Sequence, residues 1–264
     1  MRTVTDDPFG PAIPSIPLPR SPLSFVVAQV RFPLVASIAD QDFIGPFQEL
    51  IRSTYSDLRR QEERQVVIGP TGVQTQQPGV VWRFTDEDSG WEVALAPEFI
   101  ALATSTYTSR ADFLGRLGQL LEAVQAWIAP RKVRRLGVRY IDRIDGEHLD
   151  SIRSLVRPEV LGPMAIESSD PELRHSLTDS QYRFSDQSVL RARWGLLPAR
   201  STFDPAIDPI DHRSWVLDLD AYHDERPFDP SAIQDQVQLF SDRIYRYFRW
   251  ATTDDFLEAF GAQP

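Results

Sequence analysis

Near the middle of the chain a strand pattern starts over. Residues 134–143, RRLGVRYIDR, read as a strand, and they reopen a unit that began with VVAQVRF at residues 26–32. Trp82-Arg83-Phe84-Thr85-Asp86 matches Tyr182-Arg183-Phe184-Ser185-Asp186. LATSTYTSRADF at residues 102–113 matches LDLDAYHDERPF at residues 217–228, with Tyr107 over Tyr222 and Phe113 over Phe228. Each half then reads strand, helix, antiparallel meander, long helix. The fold class expected is α+β, built from two pseudo-repeats whose sheets join. The two long helices should cover one face, because their apolar stripes must be buried somewhere. The expected divisions are a Pro-rich extended arm at 1–22, a first repeat at 23–131 and a second at 132–264, together one compact structural domain.

Local signals place the elements. Pro8, Pro11, Pro14, Pro17, Pro19 and Pro22 withhold the donors that a sheet or helix needs, so the arm should be ordered only by lying on the domain. After the strand at 23–32, Asp40 or Asp42 caps a helix carrying Phe43, Phe47, Leu50, Ile51, Thr54 and Leu58, with Arg59 and Arg60 at its C-terminal end. Strands are expected at 66–68, 80–85, 91–95 and 99–107. Ser109 with Asp112 opens a long helix that Pro130 stops. The second half gives a strand at 134–144, a short helix at 149–156, a loop at 158–176, paired strands at 181–184 and 189–197, a loop at 198–213 and a strand at 215–222. Asp229-Pro230 starts the last long helix, and Thr252 or Thr253 caps a terminal one.

Composition narrows the chemistry. The chain has 264 residues, is 42% hydrophobic and includes 6 Trp, 7 Tyr and 15 Phe, enough for a packed core. It has no Cys, which removes disulfides, thiolate metal sites and a Cys nucleophile and fits a reducing cytoplasm. No apolar run approaches the ~20 residues that span a bilayer, and no signal peptide is visible at the N-terminus. A net charge of −10 disfavours nucleic acid as a partner. Of the 28 basic residues, Lys132 alone is lysine. No GxSxG elbow, P-loop, GxGxxG or HExxH occurs.

Two groups of residues could carry chemistry. In WVLDLDAY, at residues 215–222, alternate positions share a strand face, so Asp218 and Asp220 lie side by side, with His223 just beyond. Two carboxylates and an imidazole could hold Mg²⁺ or Mn²⁺; otherwise they form a solvated or Arg-paired strand face. Arg135, Arg139 and Arg143 share the face of their strand opposite Leu136, Val138 and Tyr140. The repeat makes Arg31 equivalent to Arg139, and Arg83 to Arg183. These guanidinia could grip an anionic ligand or acidic partner, or pair with Asp142, Asp218 and Asp220 on neighbouring strands.

Pro22-Leu23, Arg31-Phe32-Pro33, RLGVRYIDRI at residues 135–144, the LDLD strand at residues 217–220 and Thr253-Asp254 together resemble a sporadically distributed, uncharacterised bacterial protein family over nearly the whole chain from about residue 20. The resemblance implies a bacterial origin and a shared fold, carries over no activity, and its patchy distribution hints at mobile, defence or toxin–antitoxin genes. The function expected is that of a non-catalytic, cytoplasmic binding protein recognising another protein, as an inhibitor, an immunity protein or a defence-system subunit does. The alternative is a small-molecule or metal-dependent sensor or enzyme with a site at the repeat junction. Self-association is compatible with either.

Overall fold

The computed structural model describes residues 7–63, 66–69, 72–75, 79–86, 89–166 and 170–262. It is mixed α+β. The first half runs β1 (Leu23–Arg31), α1 (Gln41–Ile51), β2 (Asp57–Glu63), β3 (Val66–Gly69), β4 (Gly72–Thr75), β5 (Gly79–Asp86), β6 (Trp91–Ala96), β7 (Phe99–Thr104) and α2 (Arg110–Trp127). The second runs β8 (Lys132–Ile144), α3 (Gly146–Asp150), α4 (Ile152–Leu155), α5 (Pro158–Leu161), β9 (Thr178–Arg183), β10 (Val189–Leu197), β11 (Ser214–Pro227), α6 (Pro230–Ala251) and α7 (Asp254–Ala259). Nine strands form one antiparallel sheet in the order β2-β5-β6-β7-β1-β8-β11-β10-β9, while β3 and β4 pair with each other. Contacts divide the chain into two compact units. One holds the described residues up to Val26, with Val138–Tyr222 and those from Gln238 onward; the other holds Val27–Gly137 and His223–Val237.

In the second of these units the sheet face carrying Trp82, Phe84, Trp91 and Val93 is buried under helices. Phe47 of α1 meets Phe84 edge-on at 5.6 Å, and Phe113 of α2 lies 5.8 Å from Trp91. The Trp82 indole N–H donates to the Ile38 carbonyl at 2.6 Å, which satisfies a donor that burial would otherwise strand. Ser109 caps α2 by accepting from the Asp112 N–H at 3.1 Å. Gly118 lets the Gln234 side chain approach the helix, where it donates to the Leu114 carbonyl at 2.9 Å. A Cβ at Gly115 would meet nothing within 4 Å.

In the first unit the alternation of β10 sends Leu190, Ala192, Trp194 and Leu196 to one face, all buried. The α6 residues Phe240, Ile244 and Tyr247 are buried as well, and the Tyr247 ring lies 6.4 Å from Trp194. Tyr140 of β8 shares a hydrogen bond with Ser241 of α6 at 3.2 Å. Thr253 caps α7, accepting from the Phe256 N–H, and its hydroxyl donates to the Ser154 carbonyl at 2.7 Å. Pro230 opens α6 at the position where a missing N–H costs nothing.

Several expectations are corrected. The first helix ends at Ile51, not Leu58, and Leu58, Arg59 and Arg60 lie on β2, where Arg59 pairs with Asp57 at 2.8 Å rather than with a helix end. The strand begun at Phe99 stops at Thr104. The short helix at 149–156 is two pieces, α3 and α4, and the loop after Pro158 opens with α5. The strand before α6 is longer than expected and runs to Pro227.

Candidate functional site

Strand parity brings the strongest charges of the first unit onto one sheet face. Arg139 of β8, Arg191 and Arg193 of β10, and Asp218 and Asp220 of β11 all sit on it. The β10–β11 register sets Arg193 opposite Asp218 and Arg191 opposite Asp220. The same face carries Ile141, Leu197 and Val216, which form a small core with Ile207 from the segment 198–213. That segment brings Asp204 and Phe203 down onto the charged strip.

The result is a four-membered guanidinium–carboxylate lattice. Asp218 accepts from Arg139 Nε at 2.6 Å and Nη2 at 3.0 Å, a bidentate grip, and from Arg193 Nε at 2.7 Å. Asp204 accepts from Arg139 Nη1 at 3.1 Å and from Arg193 Nη2 at 3.0 Å. Phe203 covers the Arg193 guanidinium at 4.8 Å from its ring centroid. The Asp218 side chain is fully buried, and those of Arg193 and Arg139 are 9% and 15% exposed. Burial alone would make Arg139 easier to deprotonate, but the two carboxylates outweigh that and hold it above arginine's ordinary value. Burial likewise works to raise Asp204; the Ala206 N–H and the two guanidinia reverse it and leave the carboxyl below its ordinary range. Further along the strip Arg191 grips Asp179 in a bidentate pair, with Nε to Oδ1 at 2.9 Å.

Of the other basic candidates, Arg31, Arg83 and Arg135 belong to the other unit, and Arg143 and Arg183 to this one. Arg31 sits 3.6 Å from Glu98 at the surface, and Arg83 is held by Glu92 and by Gln61. Arg135 is half-buried on β8 and Arg183 is exposed on β9. Arg143 is half-buried; its Nε and Nη2 have no hydrogen-bond partner among the described residues, and burial lowers its pKa despite Asp208 and Asp145 nearby. Of the candidate metal ligands, Asp218 is saturated by guanidinia, Asp220 faces Arg191, and His223 belongs to the other unit, where its Nδ1 meets the Asp224 carbonyl. Among the described residues no group of three or more His, Asp or Glu side chains is placed to hold a metal ion.

Asp142 does not pair as a sheet partner of these arginines. Its even position turns it to the face of Val138 and Tyr140, where burial pushes its carboxyl up to about 7. A carboxyl raised in the fold contributes stability below the unfolded value of 3.8, and that contribution drains away as pH rises toward 7. Asp142→Asn should therefore match the parent near pH 4 and exceed it by about 4 kcal/mol at pH 8. Urea unfolding across that range checks it; a gap that does not widen with pH refutes it.

Sequence reasoning did not single out Asp204, Arg193 or Arg191. The two arginines were readable in RARW, where they alternate with Ala192 and Trp194 as Asp218 and Asp220 alternate with Leu219. Nor did it single out the turn at 185–188. There Arg243 of α6 donates to Asp186 at 2.9 Å and to the Ser188 hydroxyl, and lies 4.0 Å over Phe184. Burial opposes ionisation of Asp186, yet these donors bring its carboxyl down to about 2.

No family model, curated protein or solved structure matches this chain. Among the described residues no helix is long and apolar enough to cross a membrane.

Proposed function

We propose that the chain is a non-catalytic binding protein whose partner is another protein, of the kind that inhibits or neutralises an effector. The observation that carries this reading is the lattice. The strongest acids and bases on the sheet face of the first unit hold one another in a neutral, largely buried arrangement. A general acid or base needs a position within reach of a substrate proton, and Asp218 and Arg193 have no such access. With these arginines satisfied internally, the charge left for a partner is the net −10 of the whole chain, which favours a basic protein and speeds its encounter.

The proposal includes a duplicated fold. From one end of the sheet the order is β5-β6-β7-β1 after the terminal β2, and from the other it is β9-β10-β11-β8. The matched segments of sequence fall on corresponding strands in this scheme, β5 with β9, β7 with β11 and β1 with β8, which supports one ancestral unit copied in tandem.

Affinity capture from the native host, run at about 50 mM and 300 mM salt, tests the binding reading. One protein of basic composition should be retained at low salt and depleted at high salt, because long-range charge attraction is screened. Recovery of the chain alone at both salts overturns it.

A further inference from the structure

The arm at residues 7–22 has neither helix nor strand, and not one of its residues is buried. It is nonetheless tied to the first unit at spaced points. Arg246 donates through Nε to the Asp7 carbonyl at 2.8 Å. The Ile16 N–H donates to the Tyr245 hydroxyl at 2.8 Å, and Arg20 reaches the carbonyls of Phe260 and Ala259 through its N–H and its Nη2. The anchor is Phe9. Its ring centroid lies 4.7 Å from Tyr182, 5.9 Å from Phe184 and 6.1 Å from Tyr247, yet the residue stays 41% exposed.

The surface beneath is built differently from the arm on top. Tyr247 and Arg246 are 0% and 4% exposed. Arg246 keeps an unsatisfied polar atom: its Nη1 has no hydrogen-bond partner among the described residues. Tyrosine and arginine around an aromatic pocket are the residue types that dominate binding energy at protein interfaces. Aromatic-lined grooves are also the surfaces on which proline-rich chains dock, because the stiffness of such chains lowers the entropy lost on docking.

We propose that this surface of α6, α7 and the β9 turn is a recognition groove for an extended, proline-rich segment with an aromatic anchor, supplied by a partner protein. The chain's own arm occupies it as a built-in competitor. The arm shows what the groove accepts, and its shallow, half-exposed seating leaves it displaceable by a segment that buries its anchor fully and satisfies Arg246 Nη1. A tethered competitor lowers the apparent affinity of an outside ligand by the fraction of time it occupies the site. The inference rests on the protein-binding reading above and names the surface that would serve it.

The probe is a fluorescent peptide with the sequence of residues 7–20, DPFGPAIPSIPLPR, titrated into the full-length chain and its Phe9→Ala variant and followed by anisotropy. Phe9→Ala should bind it saturably, at least about tenfold more tightly than the parent. The peptide with alanine in place of its phenylalanine should not bind, and adding Tyr245→Phe to the variant should weaken binding. No uptake by a Phe9→Ala chain that melts like the parent overturns the proposal. So does a Phe9→Ala chain that fails to fold, because the arm would then be part of the core, and so does a parent dimer held by exchanged arms. The titration uses purified protein, so its failure overturns the groove and leaves the capture result standing; a failed capture beside successful uptake overturns the partner-supplied ligand together with the binding reading.

Discussion

Gly195→Ala is expected to lower the unfolding free energy by about 4 kcal/mol, read as a fall of about 10 °C in the thermal midpoint. Gly195 lies inside β10 with a φ of 156°, which side-chain-bearing residues rarely adopt. A Cβ there would fall well inside contact distance of the Ser176 carbonyl oxygen, 2.8 Å from its carbon and 3.0 Å from the Leu177 Cα. These are backbone atoms, fixed in part by the Ser176 N–H bond to the Leu196 carbonyl at 3.1 Å, so no rotamer change relieves the clash. Either β10 shifts or the 176–177 backbone lifts. Gly115→Ala is the internal control. Nothing lies within 4 Å of that position on the exposed side of α2, so the change should raise stability by about 1 kcal/mol. Equal effects of opposite sign would not fit; the Gly195 loss should be several times larger.

Asp218→Ala should cost about 3–5 kcal/mol, the range for breaking a buried ion pair from one side. The loss does not measure the attraction of one pair. It measures two guanidinia left in a low-dielectric site with one remaining counter-charge, Asp204. The companion change is therefore informative. Removing the lattice together, with Arg139→Met, Arg193→Met, Asp204→Ala and Asp218→Leu, should recover most of the loss, because an apolar replacement carries no desolvation penalty. Urea midpoints of the single and the combined variants decide this. A single-variant loss below about 1 kcal/mol, typical of a solvent-screened pair, would show the lattice to be wet and Arg139 open to ligands.

Parts of this arrangement were legible in the sequence. The period of two in LDLD and the four-residue spacing of Arg135, Arg139 and Arg143 put Asp218 and Arg139 on defined faces, and the two long helices, α2 and α6, start where Ser109 and Asp229-Pro230 say they should. Asp204 was hidden for a physical reason: it lies in a segment without periodicity, so its approach to Arg139, 65 positions away, leaves no local trace. β2 was missed for a related one. DLRRQEE carries a single apolar residue and forms at the end of the sheet through backbone pairing with β5, so alternation of burial, the usual strand signal, is absent from it. Leu58 then extended the helical period of α1 by coincidence. Asp142 shows the reverse case, because its parity was readable and opposite to that of the arginines it was offered as a partner for.

The two terminal strands of the nine-stranded sheet, β2 and β9, share a property with consequences in concentrated solution. Their side chains include Arg59, Arg60 and Glu62 on one and Asp179 and Arg183 on the other, all exposed. Another molecule adding a strand at either border would have to dehydrate those charges and match them in register, which is how natural sheets discourage fibril growth. The same barrier applies to two copies of this chain meeting border to border, so any self-association has to find a different surface.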